Sequence, residues 1–317
     1  MGLHVRIPLS GLWRQPEFLR LWAAQTVSGL GSQVTLLALP LTAILVLEAT
    51  PGQVGLLSTL GFAPSLIFGL VAGVWTDRLR RRPILVTTDV LGAALVVSVP
   101  IATWVGVLRI EQLYAVAFIA GTLLVFSSVA GSAYLPGLVG RVHVVEANAS
   151  LLTSASAVRV AGPGLAGILV QLLTAPIALL LDGVSFVVSA ACLLLIRKSE
   201  LAPQPAGRRS VWGEIHEGLR LVLRGRLLRP LAVSVCTYNF FAGMFVTVST
   251  LFLVRDLTLE PASIGIIWAS SGVGAVLGGS PRDRSRDVSV SGRPWLAAPW
   301  GLLWGTSRYR SPAARGS

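Results

Sequence analysis

The stretch Gly73-Val-Trp-Thr-Asp77-Arg78-Leu-Arg80-Arg81-Arg82-Pro83 is a dense run of charge wedged between two long apolar segments. Charge of this density is excluded from hydrocarbon, so the stretch reads as a hinge at a membrane surface, and its four arginines assign that surface to the cytoplasmic side. Outward from it the chain is uniformly oily. Only 13% of the 317 residues are charged, 53% are hydrophobic and the mean hydropathy is +0.74, whereas a soluble domain carries about 25% charged residues. The composition is that of a polytopic, all-α membrane protein, because an apolar run in lipid must satisfy its own backbone hydrogen bonds and does so as a helix.

A bilayer core of about 30 Å takes about 20 apolar residues per crossing. On that measure the spans are 21–47, 54–75, 84–107, 112–135, 148–173 and 177–196, and after an interruption 231–254 and 263–279. The basic residues test the topology. Sixteen lie in loops on one side: Arg6, Arg14 and Arg20, the four of the hinge, Arg141, and eight between Arg197 and Arg229. The opposite loops hold only Arg109 and Arg255. This asymmetry places the N-terminus in the cytoplasm and the protein in the cell (plasma or inner) membrane. The net charge of +12 is therefore a topogenic signal, and no nucleic-acid partner is expected. The N-terminal arginines before an apolar run imitate a signal peptide, but that run far exceeds the roughly 7–15 residues of a signal core and reads as a retained first helix.

The interruption at 197–229 begins with Pro203 and Pro205. It continues with Val211, Ile215, Leu219, Val222 and Leu223 at three-to-four spacing between arginines, the pattern of an amphipathic helix on the membrane face. Four regions follow: a six-helix bundle over 1–196, a cytoplasmic linker over 197–229, two helices of an incomplete second bundle over 230–279, and an irregular basic tail over 280–317. In that tail Arg, Ser, Gly, Pro and Trp supply 25 of 38 residues, the bias of a GC-rich coding sequence read out of frame. The expectation is that the apolar chain ends near Gly279 and the remainder is a frameshift product; a native disordered tail is the alternative.

Chemistry-bearing constellations are absent from the sequence. Cys192 and Cys236 fall in apolar spans, where a thiol packs as a small hydrophobe, and His4, His143 and His216 share no ligand spacing. No P-loop or reactive His/Asp/Ser cluster occurs. Neither an enzyme, a metal site nor a cofactor is expected.

The hinge resembles the motif between helices two and three of the major facilitator superfamily, Gly-x-x-x-Asp-Arg-x-Gly-Arg-Arg/Lys. Gly73, Asp77, Arg78, Arg81 and Arg82 match, and Arg80 stands where the second glycine is usual. Gly162-Pro163-Gly164-Leu165-Ala166-Gly167 is similar to that family's antiporter motif Gly-Pro-x-x-Gly-Gly, with Ala166 for one glycine and Val158 at the preceding glycine position. The wording of 22–32 and 181–186 resembles the drug-efflux branch that includes macrolide exporters. The resemblance covers about residues 15 to 279. It implies a secondary active transporter exporting small amphiphilic compounds by alternating access, energised by proton antiport, acting as a monomer in the bilayer. An inactive truncated fragment is the alternative. It also implies that Asp77 and Arg78 latch the two halves together.

Within the spans, Asp89, Arg159 and Asp182 are the ionisable residues, each costly in lipid and hence a functional candidate. Gln25, Ser28, Ser32 and Thr35 recur at three and four residues on one face of the first span, a face that lines a pathway or packs on another helix. Asn239, Gly243 and Thr250 form a thinner stripe in the seventh. The substrate or proton pathway is accordingly expected at Gln25, Ser32, Arg159, Asp182 and Asn239. The spacing of Gly69 and Gly73 allows a close helix contact.

Overall fold

The computed structural model describes residues 11–140, 142–198, 211–226 and 228–278. All of the regular structure among them is helical: a 3-10 turn Leu12–Arg14, then α1 (Pro16–Leu45), α2 (Pro51–Arg78), α3 (Arg81–Val105), α4 (Ile110–Val139), α5 (Val144–Leu173), α6 (Ala175–Leu194), α7 (Val211–Arg224), α8 (Leu228–Arg255) and α9 (Pro261–Gly278). Each expected span falls on a helix, and among the described residues seven helices, α1 to α6 and α8, are long and apolar enough to cross a membrane. The expected amphipathic segment is α7. Each helix that carries an expected span starts two to five residues before it because a polar first turn continues the same hydrogen-bond ladder, whereas α1, α3, α6 and α9 end one or two residues short of it; α1 starts at Pro16, a residue suited to a first turn because its missing N–H has no partner there anyway. The expected tail and the start of the linker lie outside the described residues.

Short connections hold the helices in register. Between α1 and α2, the Thr50 hydroxyl accepts from the Gln53 backbone N–H at 3.4 Å while the Gln53 side chain accepts from the Thr50 N–H at 2.7 Å, a reciprocal cap that starts α2. Gly106 ends α3 with φ of 75°, a left-handed conformation that glycine adopts at no steric cost.

The first six helices pack as two repeated triplets. α1 packs on α5 and α6, α4 packs on α2 and α3, and α3 packs on α6. The pattern is unchanged when α1, α2 and α3 exchange places with α4, α5 and α6, the internal symmetry expected of a transporter bundle. Two apolar cores result. Phe18, Leu21, Leu85, Leu135, Leu138 and Leu193 form one at the hinge end. Val34, Leu41, Val96, Val99, Leu113 and Leu179 form the other at the opposite end. Between them on α3 and α6 sits a buried polar layer containing Thr88, Asp89, Asp182, Ser185 and Ser189.

Candidate functional site: the hinge and the faces of α1, α5 and α6

The hinge is a two-residue connection. α2 ends at Arg78, Leu79 donates its N–H back to the Trp75 carbonyl at 3.1 Å, and the exposed Arg80 occupies the N-cap of α3. Asp77 lies in the last turn of α2; its side chain is outside the described residues. Arg78 and Arg81 are half-buried. Arg82 has a different assignment from its neighbours. Its Nε donates to the Leu193 carbonyl at 3.0 Å and its Nη2 to the Leu194 carbonyl at 2.6 Å. Arg20 supplies the next bond, to the Leu195 carbonyl at 2.7 Å, while paired with Glu17 at 3.0 Å. Two guanidiniums thus bind carbonyls at the end of α6, of which that of Leu193 also accepts from the Ile196 N–H at 3.2 Å, where the helix dipole favours a cation.

The hinge arginines are therefore not equivalent. Hydrogen bonds to charged groups contribute about 1.5–3 kcal/mol, so Arg82→Ala should measurably lower the stability of the protein in detergent. Arg80→Ala, which removes an exposed side chain, should stay within about 0.5 kcal/mol. Thermal unfolding of the two variants in parallel checks this ordering.

The expected close contact at Gly69 and Gly73 is not made. A Cβ added at either position would meet no heavy atom of a neighbour within 4 Å. Spacing of small residues permits an approach without supplying the partner, and the close approaches of α2 and α4 fall instead at Gly121, against the Gly61 carbonyl and Pro64.

The antiporter-like segment does bring backbones together, on two sides. Gly162 lies against the side chain of Gln33 on α1, whose Cβ would be 2.8 Å from an added Cβ. Gly167 lies against α9, with the Pro261 carbonyl oxygen at 2.5 Å and Gly265 Cα at 3.0 Å from an added Cβ. Farther along the same contact, Gly164 meets Ala269, and Gly272 meets Val160 at 3.0 Å. Pro163 lies between the two contacts, and its carbonyl abuts Gly265. Proline removes one intrahelical hydrogen bond, the one to the Arg159 carbonyl four residues earlier.

Successive residues of a helix are rotated by about 100°, so these contacts fix where the other side chains of α5 point. Arg159 is exposed and falls in the arc between the strip meeting α1 (Val158, Gly162) and the strip meeting α9 (Val160, Pro163, Gly167). Leu165 and Ile168 fall in the other arc. There they border an apolar cleft of about 330 Å³, closed on its other sides by Val27, Leu30 and Val34 of α1 and Leu181 of α6. Gln25 and Ser32 lie on the side of α1 opposite to Val27 and Val34. The cleft and the polar candidates thus occupy opposite flanks of the α1–α5 pair.

The polar face of α1 is divided among three neighbours. Gln25 packs on Gly131 of α4, its Nε2 lying 2.8 Å from the position of an added Cβ. Thr35 turns to α6 and donates to the Asp182 carboxylate. Ser28 and Ser32 remain half-buried. Asp182 is 1% exposed and also accepts from Ser185 at 3.0 Å; Gly31 leaves the space for both. Asn239 on α8 is exposed and donates to the Val235 carbonyl one turn back at 2.8 Å, while Gly243 faces Phe62 of α2. The structure brings Asn239 to none of the other candidates. Sequence reasoning missed Gln33, an uncharged polar residue in the middle of α1 lying off the three-to-four stripe; its polarity at that depth was the available signal.

The comparisons agree with this architecture. The family profile for the Major Facilitator Superfamily matches residues 21–306. An uncharacterized MFS-type transporter, y4rN of Sinorhizobium fredii, is 30% identical over 93% of this chain and 74% of its own length. A second, YvqJ of Bacillus subtilis, is 25% identical over 71% of this chain and 55% of its own. The multidrug efflux pump Tap of Mycolicibacterium fortuitum is 26% identical over 84% of this chain and 66% of its own. The chain matches between about half and three quarters of the length of these relatives. A triplet-repeated bundle of apolar helices, a charged hinge between α2 and α3 and a family match across most of the sequence together establish that this multi-pass membrane protein belongs to the Major Facilitator Superfamily.

Proposed function

We propose that the protein is a secondary active transporter that exports small amphiphilic compounds by alternating access, coupled to proton entry, from a cell membrane in which its N-terminus is cytoplasmic. The observation that carries the reading is the polar flank of the α1–α5 pair. Gln25, Ser32 and Arg159 share the side turned away from the apolar cleft, and Gln33 closes the α1–α5 contact beside Gly162. A mid-membrane arginine with an amide and a hydroxyl on one flank suits a water-filled path better than a lipid-facing surface. The similarity to an efflux pump favours export. The hinge, through Asp77 and Arg78, serves as the latch between states, while Arg82 holds the end of α6.

Expression of the 317-residue chain in an efflux-deficient host tests this reading. The expected result is reduced susceptibility to a panel of amphiphilic drugs, lost on Arg159→Ala with the protein still in the membrane. Unchanged susceptibility, with normal membrane levels of the chain, would favour a fragment with no transport activity of its own.

A further inference from the structure

The polar layer between the two apolar cores is unused by the substrate path described above. On α6, Asp182, Ser185 and Ser189 recur at three and four residues, and all are buried. They form a column about 10 Å long on one helix face, at 1.5 Å per residue. Thr35 and Ser185 hydrogen-bond the Asp182 carboxylate at one end of the column.

At the other end stands Asp89 of α3. The helices run antiparallel, Gly183 packing on Val97 and Phe186 on Gly92, and that register sets Asp89 opposite Ser189. Asp89 is 4% exposed, and its Oδ2 has no hydrogen-bond partner among the described residues. Ser189 and the more distant Asp182 act on Asp89 from α6; Thr35 from α1 and Ser185 from α6 itself act on Asp182. Two carboxyl groups buried in a bilayer are costly, and chains of such groups in transporters mark proton paths. Hydroxyls suit the gap between them because each can accept one proton and donate another.

We propose that Asp182, Ser185, Ser189 and Asp89 form a proton relay inside the first six-helix bundle, between α3 and α6, next to the polar face of α1 that borders the substrate flank. This rests on the proton-antiport reading and locates its coupling path. A proton bound at Asp182 leaves for the Ser185 hydroxyl as that hydroxyl passes its own proton to a water molecule between Ser185 and Ser189, which stand one helical turn apart. Ser189 hands a proton on to Asp89 in the same way, so charge moves along the column without any side chain crossing the core. Thr35 ties the relay to α1 and lies on the same polar face as Gln25 and Ser32, so a change of protonation at Asp182 acts on the face that borders the substrate path.

Infrared difference spectroscopy after a pH jump, on the 317-residue chain reconstituted in lipid, tests the relay without requiring transport. Two carboxyl signals are expected, one removed by Asp89→Asn and the other by Asp182→Asn. Should an Asn variant fail to insert, Asp182→Glu shifts the same signal in place of removing it. Ser189→Ala should keep both signals and slow deuterium exchange at Asp182 severalfold. Absence of both signals, or unaltered exchange in Ser189→Ala, would overturn the relay. So would signals that respond to exchange of potassium for sodium and not to pH, the mark of a sodium site. A relay that fails while drug export persists leaves the transporter reading standing; a chain with intact signals and no export reverses that outcome.

Discussion

Replacing Gly31 by alanine should lower the thermal stability of the protein, although alanine is the better helix former by about 1 kcal/mol. An added Cβ at this position enters the space of the Ser185 hydroxyl and the Asp182 carboxylate and lies 2.7 Å from Ser185 Cβ. Neither neighbour is the loose end of a flexible chain. Asp182 is held by Thr35 and Ser185, and Ser185 also bonds the backbone carbonyl of Asp182 at 2.8 Å. Overpacking a filled core costs roughly 1–3 kcal/mol and sometimes more, so the clash outweighs the propensity gain, and Gly31→Val should be worse. Gly55→Ala on α2, where an added Cβ meets nothing within 4 Å, should be neutral or stabilising. Thermal unfolding in one detergent compares the three. A Gly31→Ala variant as stable as Gly55→Ala would mean that α1 and α6 are farther apart than described.

Gly265→Leu on α9 should abolish export while leaving the six-helix bundle folded. The contact of α5 with α9 is backbone against backbone: an added Cβ at Gly265 lies 2.9 Å from Gly167 Cα and 3.1 Å from Gly167 N, and presses on the Pro163 carbonyl. Rigid backbone cannot swing aside as a side chain can, so the substitution separates the helices. Gly167→Leu attacks the same contact from α5. Both sites border the apolar core at the end opposite the hinge, beside Ala166 and Ile264, but the contact joins α9 to α5 and not the first six helices to one another, so wild-type membrane levels with drug susceptibility returned to that of the host are expected. Full export by both variants would show that the α5–α9 contact plays no part in the transport cycle.

Much of the fold was legible in the sequence because lipid imposes a simple rule. Every apolar run of spanning length must be a helix, and the basic residues of the hinge must lie between two of them. The three-to-four spacing in 211–223 identified α7 for a similar reason. Partners were harder to read. The stripe Gln25, Ser28, Ser32, Thr35 shows one polar face, yet Gln25 goes to α4 and Thr35 to α6, because a helix in a bundle has several neighbours within one face. Arg82 looked like its neighbours in the hinge. Its long side chain reaches the end of α6, a contact separated by more than a hundred residues that no local pattern encodes. Gly69 and Gly73 had the spacing of a packing motif and make no contact, whereas Gly31, in no motif, is tightly enclosed. Small residues acquire meaning only from what stands opposite them.

The most direct test of the central claim, that one flank of the α1–α5 pair lines a water-filled path, is labelling of single cysteines by a membrane-impermeant thiol reagent. Cys192 and Cys236 are first replaced by serine, and Arg159→Cys and Leu165→Cys are then introduced separately on α5. Arg159→Cys should be labelled and protected by an exported compound, while Leu165→Cys in the apolar cleft should not be labelled. Labelling of Leu165→Cys with Arg159→Cys inert would place the path on the opposite flank and contradict that claim.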